Sequence, residues 1–580
     1  MGHEYADGGG DKGIFVNCIK SKRILILSGF TVALVITVIA LATALGVANK
    51  KLSEKAATVS SSPTTSASLI PSLSSTITVK QMIAHLQALQ NISSTTGGNR
   101  FTGSNGFNKT VSYIVDYLRT KTNLEVHTLE YFSVPNYQLD GEPTLIIDFN
   151  GTRDNYTYAT DFTDMQYASR AYGNLSQPVS VIPEFGCFPV DWERANPKIQ
   201  NRTTVALVKR GQCTSVEKSR LAAKYDVGGL LVYNDGASWD RNDPLNFRVG
   251  FYTSFPALFL SFDIGNRIKQ IIDFNGTVEV TMKVTVEDLD DFNVSNVCAD
   301  TRSGNISKTI VVGSHTDSVK ESSGINDNGS GTAANLVLAT NVDSLLNTPS
   351  YPKYPNRIRF CWWGAEEVGL RGSIHHIKQA VNNTKPGENL RDYLVNLNLD
   401  MLASPNFNFG IFSGSSIDNS TDEKAINGSI LLTNLFIKYF NDNKLPWSPI
   451  AFDGRSDYGP FLAAGKACAG LTTGGDAIKT QDERDRYAAQ LPQGENAGIV
   501  NAMLDPCYHN KCDTIENINW YAYEVMVKAA AFVLENIGQR SDLDTWLYSS
   551  LVQSGRSEDM LKYEIIENTV LSQYYRKTDL

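Results

Sequence analysis

Residues that could do chemistry cluster where the chain passes from an apolar strand into a Gly/Ser-rich loop. The segment VVGSHTDSVKESSGINDNGSG, residues 311–331, carries His315, Asp317 and Asp327. Open α/β sheets place their sites in loops at the carboxyl ends of strands. His315 offers an imidazole nitrogen, Asp327 offers a carboxylate that can bridge two cations, and Asp317 can accept the other imidazole N–H and fix its tautomer. The segment therefore predicts part of a metal site whose other ligands must come from elsewhere.

Three later segments supply the remaining ligand types. The apolar strand in RFCWWGAEEVGLRGS ends in the pair Glu366 and Glu367, NLNLDML places Asp400 at a strand end, and DPCYHNKCD holds His509 between two cysteines. Zinc in catalytic sites takes His and carboxylate ligands and keeps a position for water. Two such ions about 3.5–4 Å apart can share a carboxylate and a hydroxide. A single HxD or EE is more often a surface loop or a helix start, but the four segments together complete two zinc shells.

In this order the four motifs resemble those of the co-catalytic two-zinc aminopeptidases, the group that includes vacuolar aminopeptidase Y and secreted bacterial leucine-preferring enzymes. The resemblance covers roughly residues 78 to 540. It implies two zinc ions per chain. The ligands that it implies are His315 and Asp400 for one ion, Glu367 and His509 for the other, and Asp327 between them.

The same resemblance implies the catalytic roles. Glu366 would be the general base, Tyr508 the hydroxyl that supports the tetrahedral intermediate, and Arg455 in FDGRSDYGPF a substrate-pocket residue. The expected reaction is hydrolysis of the N-terminal peptide bond of peptides that have a free amine and a neutral or apolar first residue. Glu366 and Asp400 are expected to contribute to recognition of that amine.

Length and composition agree with a globular enzyme of more than one domain. The chain has 580 residues, 42% hydrophobic and 19% charged, and a formal net charge of −9. This length predicts two or more domains. The acidic balance argues against a nucleic-acid partner, and the absence of a G-x-S-x-G motif leaves serine-hydrolase chemistry unsupported. The oligomeric state stays open.

The N-terminal part predicts a type II membrane protein. Residues 24–48 are uncharged and long enough to span a bilayer as a signal-anchor. Residues 1–23 would form a cytoplasmic tail and the Ser/Thr-rich residues 49–77 a stalk. N-x-S/T sequons recur after the span and none precedes it, which predicts a glycoprotein whose catalytic part is lumenal (vacuole- or lysosome-like) or extracellular. The alternative is a secreted protein after cleavage of a long signal peptide.

The remaining chain predicts an α/β fold with an insertion. Residues 78–133 and 285–540 alternate helix and strand patterns, which predicts a mostly parallel central sheet flanked by helices, as in zinc peptidases. Residues 134–284 contain VALVKRGQCTSVEKSRLAAKYDVGGLLVYND and resemble an inserted protease-associated domain. Residues 541–580 are a charged C-terminal tail that the resemblance does not cover.

The cysteines divide into two groups. Cys187 and Cys213 occupy positions that pair in protease-associated domains, and a bond between Cys507 and Cys512 would close a small ring around His509. Cys298, Cys361 and Cys468 interrupt apolar, strand-like segments, so free buried thiols are expected there.

There are three alternative functions. A glutamate-carboxypeptidase-like enzyme would share the anchor, the insertion and the zinc shells, but such proteins carry a long helical dimerisation domain where only residues 541–580 remain. A non-catalytic receptor of the transferrin-receptor type would have lost the zinc ligands, all of which are present. Glutaminyl cyclases share the fold but use one zinc ion.

Overall fold

The computed structural model describes residues 70–127, 130–165, 172–213, 215–238, 241–245, 255–418 and 421–548. The predicted tail, membrane span and most of the predicted stalk lie outside these residues. Within the described parts of the chain, no helix is both long and apolar enough to cross a membrane.

The described residues form seventeen strands in two sheets. In chain order they are β1 (Glu125–Val126), β2 (Glu130–Leu139), β3 (Thr144–Phe149), β4 (Thr152–Tyr156), β5 (Phe162–Asp164), β6 (Tyr172–Val181), β7 (Val205–Lys209), β8 (Gly229–Tyr233), β9 (Ala257–Leu260), β10 (Val278–Val284), β11 (Val286–Asp300), β12 (Asn305–His315), β13 (Asn356–Trp363), β14 (Tyr393–Leu399), β15 (Gly410–Ser413), β16 (Ser448–Ala451) and β17 (Ala467–Thr472).

The α-helices of the described residues are α1 (Leu73–Thr76), α2 (Val79–Thr95), α3 (Asn105–Lys121), α4 (Pro189–Glu193), α5 (Ser215–Lys224), α6 (Phe262–Asp273), α7 (Gly331–Leu346), α8 (Arg371–Asn382), α9 (Glu423–Asp442), α10 (Tyr458–Ala463), α11 (Gln481–Gln490), α12 (Trp520–Gly538) and α13 (Leu543–Tyr548).

The first sheet is mixed, with a parallel centre. Its strand order is β1-β11-β13-β12-β14-β17-β15-β16, and β2 pairs with β11 beside this path. Strands β13, β12, β14 and β17 run parallel to their neighbours within this group, whereas β11 and β15 join it antiparallel. The predicted parallel arrangement therefore holds for the centre of the sheet, and the antiparallel strands lie outside it.

Both faces of this sheet are buried, which explains the continuous apolar runs in its central strands. Side chains alternate along each strand: Ile310 and Val312 pack into one core, and Val311 between them packs into the other. The first core is closed by α2, α3, α7 and α12, and the second by α8 and α10. The catalytic α/β layers predicted from the sequence are thus present.

The second sheet belongs to the insertion. Its order is β4-β3-β10-β6-β7-β8-β9-β5, and it has its own apolar cores. The chain enters the insertion along β2 and leaves it along β11. These two strands pair antiparallel, with Glu130 opposite Asn296 at one end and Leu139 opposite Val286 at the other. The paired ribbon fixes the insertion to the first sheet.

The start of the predicted C-terminal tail packs against the catalytic part. Helix α13 buries Leu543 and Leu547, and the Tyr548 hydroxyl donates to the Leu394 carbonyl at 2.5 Å. The packed unit consequently extends past residue 540, where the sequence analysis placed its end.

The predicted disulfides Cys187–Cys213 and Cys507–Cys512 are confirmed, as is the free, buried thiol of Cys468. The expectation for Cys298 and Cys361 was wrong, because these residues form a third disulfide. They face each other directly in the antiparallel pair of β11 and β13, with their Cα atoms 4.2 Å apart. This pairing depends on strand register, which the two separate apolar segments do not reveal.

Non-reducing peptide mapping should therefore recover a Cys298–Cys361 link together with the other two. Replacing both residues by alanine should lower the free energy of unfolding by roughly 2–4 kcal/mol, since the bond closes a long loop in the unfolded chain. Cys468→Ala is the control and should leave the disulfide map unchanged. A map in which Cys361 is linked to Cys468 would contradict the assignment.

Candidate metal centre

The predicted site residues converge at the carboxyl end of the parallel strands. His315 ends β12, Glu366 and Glu367 follow β13, and Asp400 follows β14. Asp327 lies in the turn before α7. Parallel strands end at the same edge of a sheet, so these residues meet although they lie far apart in sequence. His509 reaches the same place from the segment between α11 and α12.

The side chains form two groups that share Asp327. His315 Nε2 lies 3.3 Å from Asp327 Oδ1 and 3.6 Å from Asp400 Oδ1. On the other side, His509 Nε2 lies 3.2 Å from Asp327 Oδ2 and 3.4 Å from Glu367 Oε2. Within each group the ligand atoms lie within 4.8 Å of one another. Each Asp327 oxygen therefore faces a different histidine–carboxylate pair.

The electrostatics of the site favour bound cations. Burial acts to lower the pKa of His509, but Glu367 and Asp327 outweigh it and raise the pKa to about 10. Burial also acts to lower the pKa of His315, but the surrounding carboxylates outweigh it and raise this pKa well above its usual value. Burial would raise the pKa of Asp327, yet the two imidazoles hold it well below its ordinary range. The carboxylates around each imidazole thus favour positive charge at this site, which a bound metal cation would supply.

Glu366 differs from the residues around it. It belongs to neither ligand group, and burial together with the charge of Glu367 raises its pKa well above the usual value, against the opposing effect of His315. A buried carboxyl group with a raised pKa can act as a general base or acid during a reaction. Its neighbour in sequence, Glu367, instead points an oxygen at His509.

The carboxylate of Asp317 positions the backbone of the glutamate pair. Its oxygens accept hydrogen bonds from the N–H groups of Glu366 and Glu367, at 3.1 and 3.2 Å, and from the Thr102 hydroxyl at 2.8 Å. The Nδ1 atom of His315 lies 3.2 Å from the Asp317 carbonyl and 3.6 Å from the nearer carboxylate oxygen. The backbone carbonyl is thus the closer acceptor for the imidazole N–H. Asp317 therefore contacts both His315 and the backbone of the glutamate pair.

Further polar residues hold the ligands in place. The Ser456 hydroxyl donates to Asp400 Oδ2 at 2.5 Å and accepts a hydrogen bond from Asn398 at 2.7 Å. The Asp513 carboxylate accepts the backbone N–H groups of Asn326 and Asp327, at 2.7 and 3.0 Å. Such outer contacts orient metal ligands.

Comparison with known proteins agrees with this arrangement. Residues 296–534 match the profile of peptidase family M28, and residues 172–268 match that of the PA domain. An aminopeptidase of Pseudomonas aeruginosa is 32% identical over 470 residues, which cover 78% of this chain and 79% of that protein. The chain belongs to peptidase family M28. It is an enzyme of the metallo-aminopeptidase type with an inserted PA domain.

Other relatives extend this agreement. A probable leucine aminopeptidase 2 of Aspergillus fumigatus is 32% identical over 67% of this chain and 71% of its own length. Aminopeptidase Y of Saccharomyces cerevisiae is 28% identical over 74% of this chain and 72% of its own. The solved aminopeptidase from Aneurinibacillus sp. strain AM-1 has the same fold, with a TM-score of 0.56 at 21% identity over 80% of this chain and 94% of that one.

Tyr508 and Arg455 line the same M28 site. The Tyr508 ring stacks on the His509 ring with centroids 3.9 Å apart, and Arg455 Nη2 lies 3.5 Å from the Tyr508 hydroxyl. Burial raises the pKa of Tyr508 well above its usual value, although Arg455 acts in the opposite direction. The hydroxyl therefore keeps its proton at neutral pH and can donate a hydrogen bond.

A third cluster of possible ligands is an ion-pair network. His127 lies 2.7 Å from Asp300, but Arg359 also contacts Asp300 and Glu388, each at 2.7 Å, and Arg357 contacts Asp300 at 2.9 Å. Two guanidinium groups already neutralise the two carboxylates. The two arginines therefore account for the buried carboxylates of this cluster, and no metal cation is needed to balance their charge.

Sequence reasoning did not identify Arg100, which supports the loop after His315. The side chain is fully buried and donates to the carbonyls of Thr316, Ser323 and Gly324, at 3.1 Å to Ser323 and 2.6 Å to Gly324. Burial lowers its pKa to about 10, against nearby carboxylates led by Asp317 that raise it, so it stays charged at neutral pH. A single arginine in a loop between two helices carries no pattern that would predict this role.

Arg100→Met should destabilise the protein and weaken the site. The change leaves three buried carbonyls without their donor, which costs roughly 3 kcal/mol or more in free energy of unfolding. Arg119→Met is the matched control, because Arg119 is exposed in the last turn of α3. Thermal unfolding and zinc titration measure both effects. A melting temperature equal to that of the control would refute the role of Arg100.

Proposed function

We propose that this metallo-aminopeptidase holds two zinc ions and hydrolyses the N-terminal peptide bond of peptides with neutral or apolar first residues. The observation that carries the proposal is the position of Asp327, whose two oxygens face separate groups of His and carboxylate ligands. His315 and Asp400 would hold one ion, and Glu367 and His509 the other. This donor set of imidazole nitrogens and carboxylate oxygens fits zinc in catalytic sites.

The chain's own residues supply the remaining chemistry. Bound zinc would acidify a water molecule and polarise the scissile carbonyl. Glu366 would take the proton of the attacking water and then donate it to the leaving amine, which its raised pKa favours. Tyr508 would donate a hydrogen bond to the oxygen of the tetrahedral intermediate. Asp317, through the backbone of the glutamate pair, keeps Glu366 oriented during these transfers.

A comparison of substrates tests the proposal against a carboxypeptidase. Peptides with a free N-terminus and an amidated C-terminus should lose their first residue, whereas N-acetylated peptides with a free C-terminus should remain intact. A panel of aminoacyl-arylamides measures the preference for the first residue. Chelation should abolish activity and zinc should restore it. Release of C-terminal residues from the acetylated peptides would overturn the proposal.

We also propose that the catalytic part lies on the oxidising side of a membrane or outside the cell. Three disulfides support this placement, since such bonds persist in oxidising compartments. Most sequon asparagines whose burial the structure describes are exposed, whereas Asn328 is fully buried and donates to the Leu399 carbonyl at 2.9 Å.

The N-terminal anchor yields a separate expectation. If residues 24–48 remain as a signal-anchor, the mature protein keeps its N-terminus, stays in the membrane fraction, and shifts in gel mobility after glycosidase treatment. N-terminal sequencing decides the point. A mature chain that starts near Asn49 would show signal cleavage and secretion instead.

A further inference from the structure

One carboxylate links the inserted domain to the catalytic site. Asp476 lies in the loop after β17. Its Oδ2 atom is 2.5 Å from Arg210 Nη2, and its Oδ1 atom is 3.3 Å from Arg455 Nη1. Arg210 directly follows β7 of the inserted PA domain, and Arg455 lies in the loop before α10. Asp476 therefore connects a residue of the insertion to a residue of the predicted substrate pocket.

The Arg210 end of this link is buried and held in place. Its side chain is 5% exposed, and its other terminal nitrogen donates to Asn234 Oδ1 at 2.9 Å. Asn234 in turn donates to the Asp243 carbonyl at 2.7 Å. Burial would raise the pKa of Asp476, but Arg455 and Arg210 outweigh it and hold the pKa well below its usual range. The carboxylate thus stays ionised, and the inserted domain fixes its position.

The Arg455 end reaches the catalytic residues. Its side chain is 41% exposed, and its second terminal nitrogen lies 3.5 Å from the Tyr508 hydroxyl. The adjacent Gly475 packs so closely that a Cβ there would lie 3.2 Å from the Tyr508 ring. The Arg455 guanidinium therefore lies beside the hydroxyl that would donate to the oxyanion, where a positive charge would stabilise the developing negative charge.

We propose that Asp476 is a positioning residue of the aminopeptidase reaction: it holds the Arg455 guanidinium beside Tyr508, and Arg210 of the inserted domain holds Asp476. The inference rests on the proposed function and adds that the inserted domain sets the rate of the reaction through this contact. A merely structural ion pair would affect the stability of the contact between the two domains but not act through Arg455.

A double-mutant cycle separates these roles. With an aminoacyl-arylamide that the parent enzyme cleaves, Asp476→Asn should lower kcat by roughly 10–100-fold through misplacement of Arg455, with a smaller change in KM. In an Arg455→Gln background the same change should lower kcat by less than about threefold, because coupled residues are not additive. Arg210→Gln should lower kcat in the same direction, and Arg210→Lys should restore part of the loss. Zinc content should match that of the parent throughout.

The matched control is Arg202→Gln, which breaks an exposed Arg–Asp pair at the other end of β7, with Asp226 at 3.0 Å. It should keep the parent's kcat. If the parent and the control are active and Asp476→Asn has the same kcat as they do, this inference is overturned and the proposed function stands. The same holds if Asp476→Asn lowers kcat equally in the parent and in the Arg455→Gln background. A parent that cleaves no peptide with a free N-terminus would overturn the proposed function and this inference together.

Discussion

Glu366→Gln should lower kcat by roughly 10²–10⁴-fold while the protein keeps its fold and the two proposed zinc ions. A positioned general base contributes about this much to a rate, and glutamine cannot accept the proton. The five proposed ligands do not include Glu366, so metal binding should persist. Steady-state kinetics and metal analysis of the same preparation measure the two effects.

Glu535→Gln is the matched control for this change. Glu535 lies in α12, where it accepts hydrogen bonds from the Leu73 N–H at 3.0 Å and from the Tyr351 hydroxyl. The control makes the same isosteric substitution away from the metal ligands and should retain the parent's kcat. If Glu366→Gln loses a zinc ion, or stays nearly as active as the control, the division of roles between Glu366 and Glu367 is refuted.

Asp327→Asn should differ from Glu366→Gln because it should reduce metal content as well as rate. The Asp327 carboxylate offers one oxygen to each ligand group, and an amide offers only one oxygen and no charge. Loss of outer contacts to a ligand already costs 10–100-fold in metal affinity, so loss of the shared ligand should cost at least roughly 100-fold. Zinc titration against a chromogenic chelator measures this affinity.

The metal-free form of the Asp327→Asn variant should also be less stable. The folded-state pKa of Asp327 is lowered by the two imidazoles, so its charge stabilises the fold above the unfolded-state pKa of about 3.9, and this contribution is lost as the pH falls. The stability difference between parent and variant should therefore shrink in acid. Full zinc occupancy in Asp327→Asn would contradict the bridging role.

Much of the candidate site was predictable because its chemistry restricts residue types and its fold restricts their positions. Zinc ligands are His and carboxylate side chains, and those of parallel strands lie where each strand ends. His315, Glu367 and Asp400 each follow an apolar run, so their convergence was predicted from the sequence. The alternation of helices and strands in residues 285–540 was also visible in the sequence.

The pairing of residues far apart in sequence became visible only in the folded protein. The Cys298–Cys361 bond depends on the register of β11 against β13, and the antiparallel edges of the sheet depend on how β11 and β15 join its parallel centre. Arg100 and Asp476 are single charged residues in loops, where no periodicity marks a partner. Their roles arise from burial and from contacts between segments far apart in sequence, and local sequence carries no signal for either.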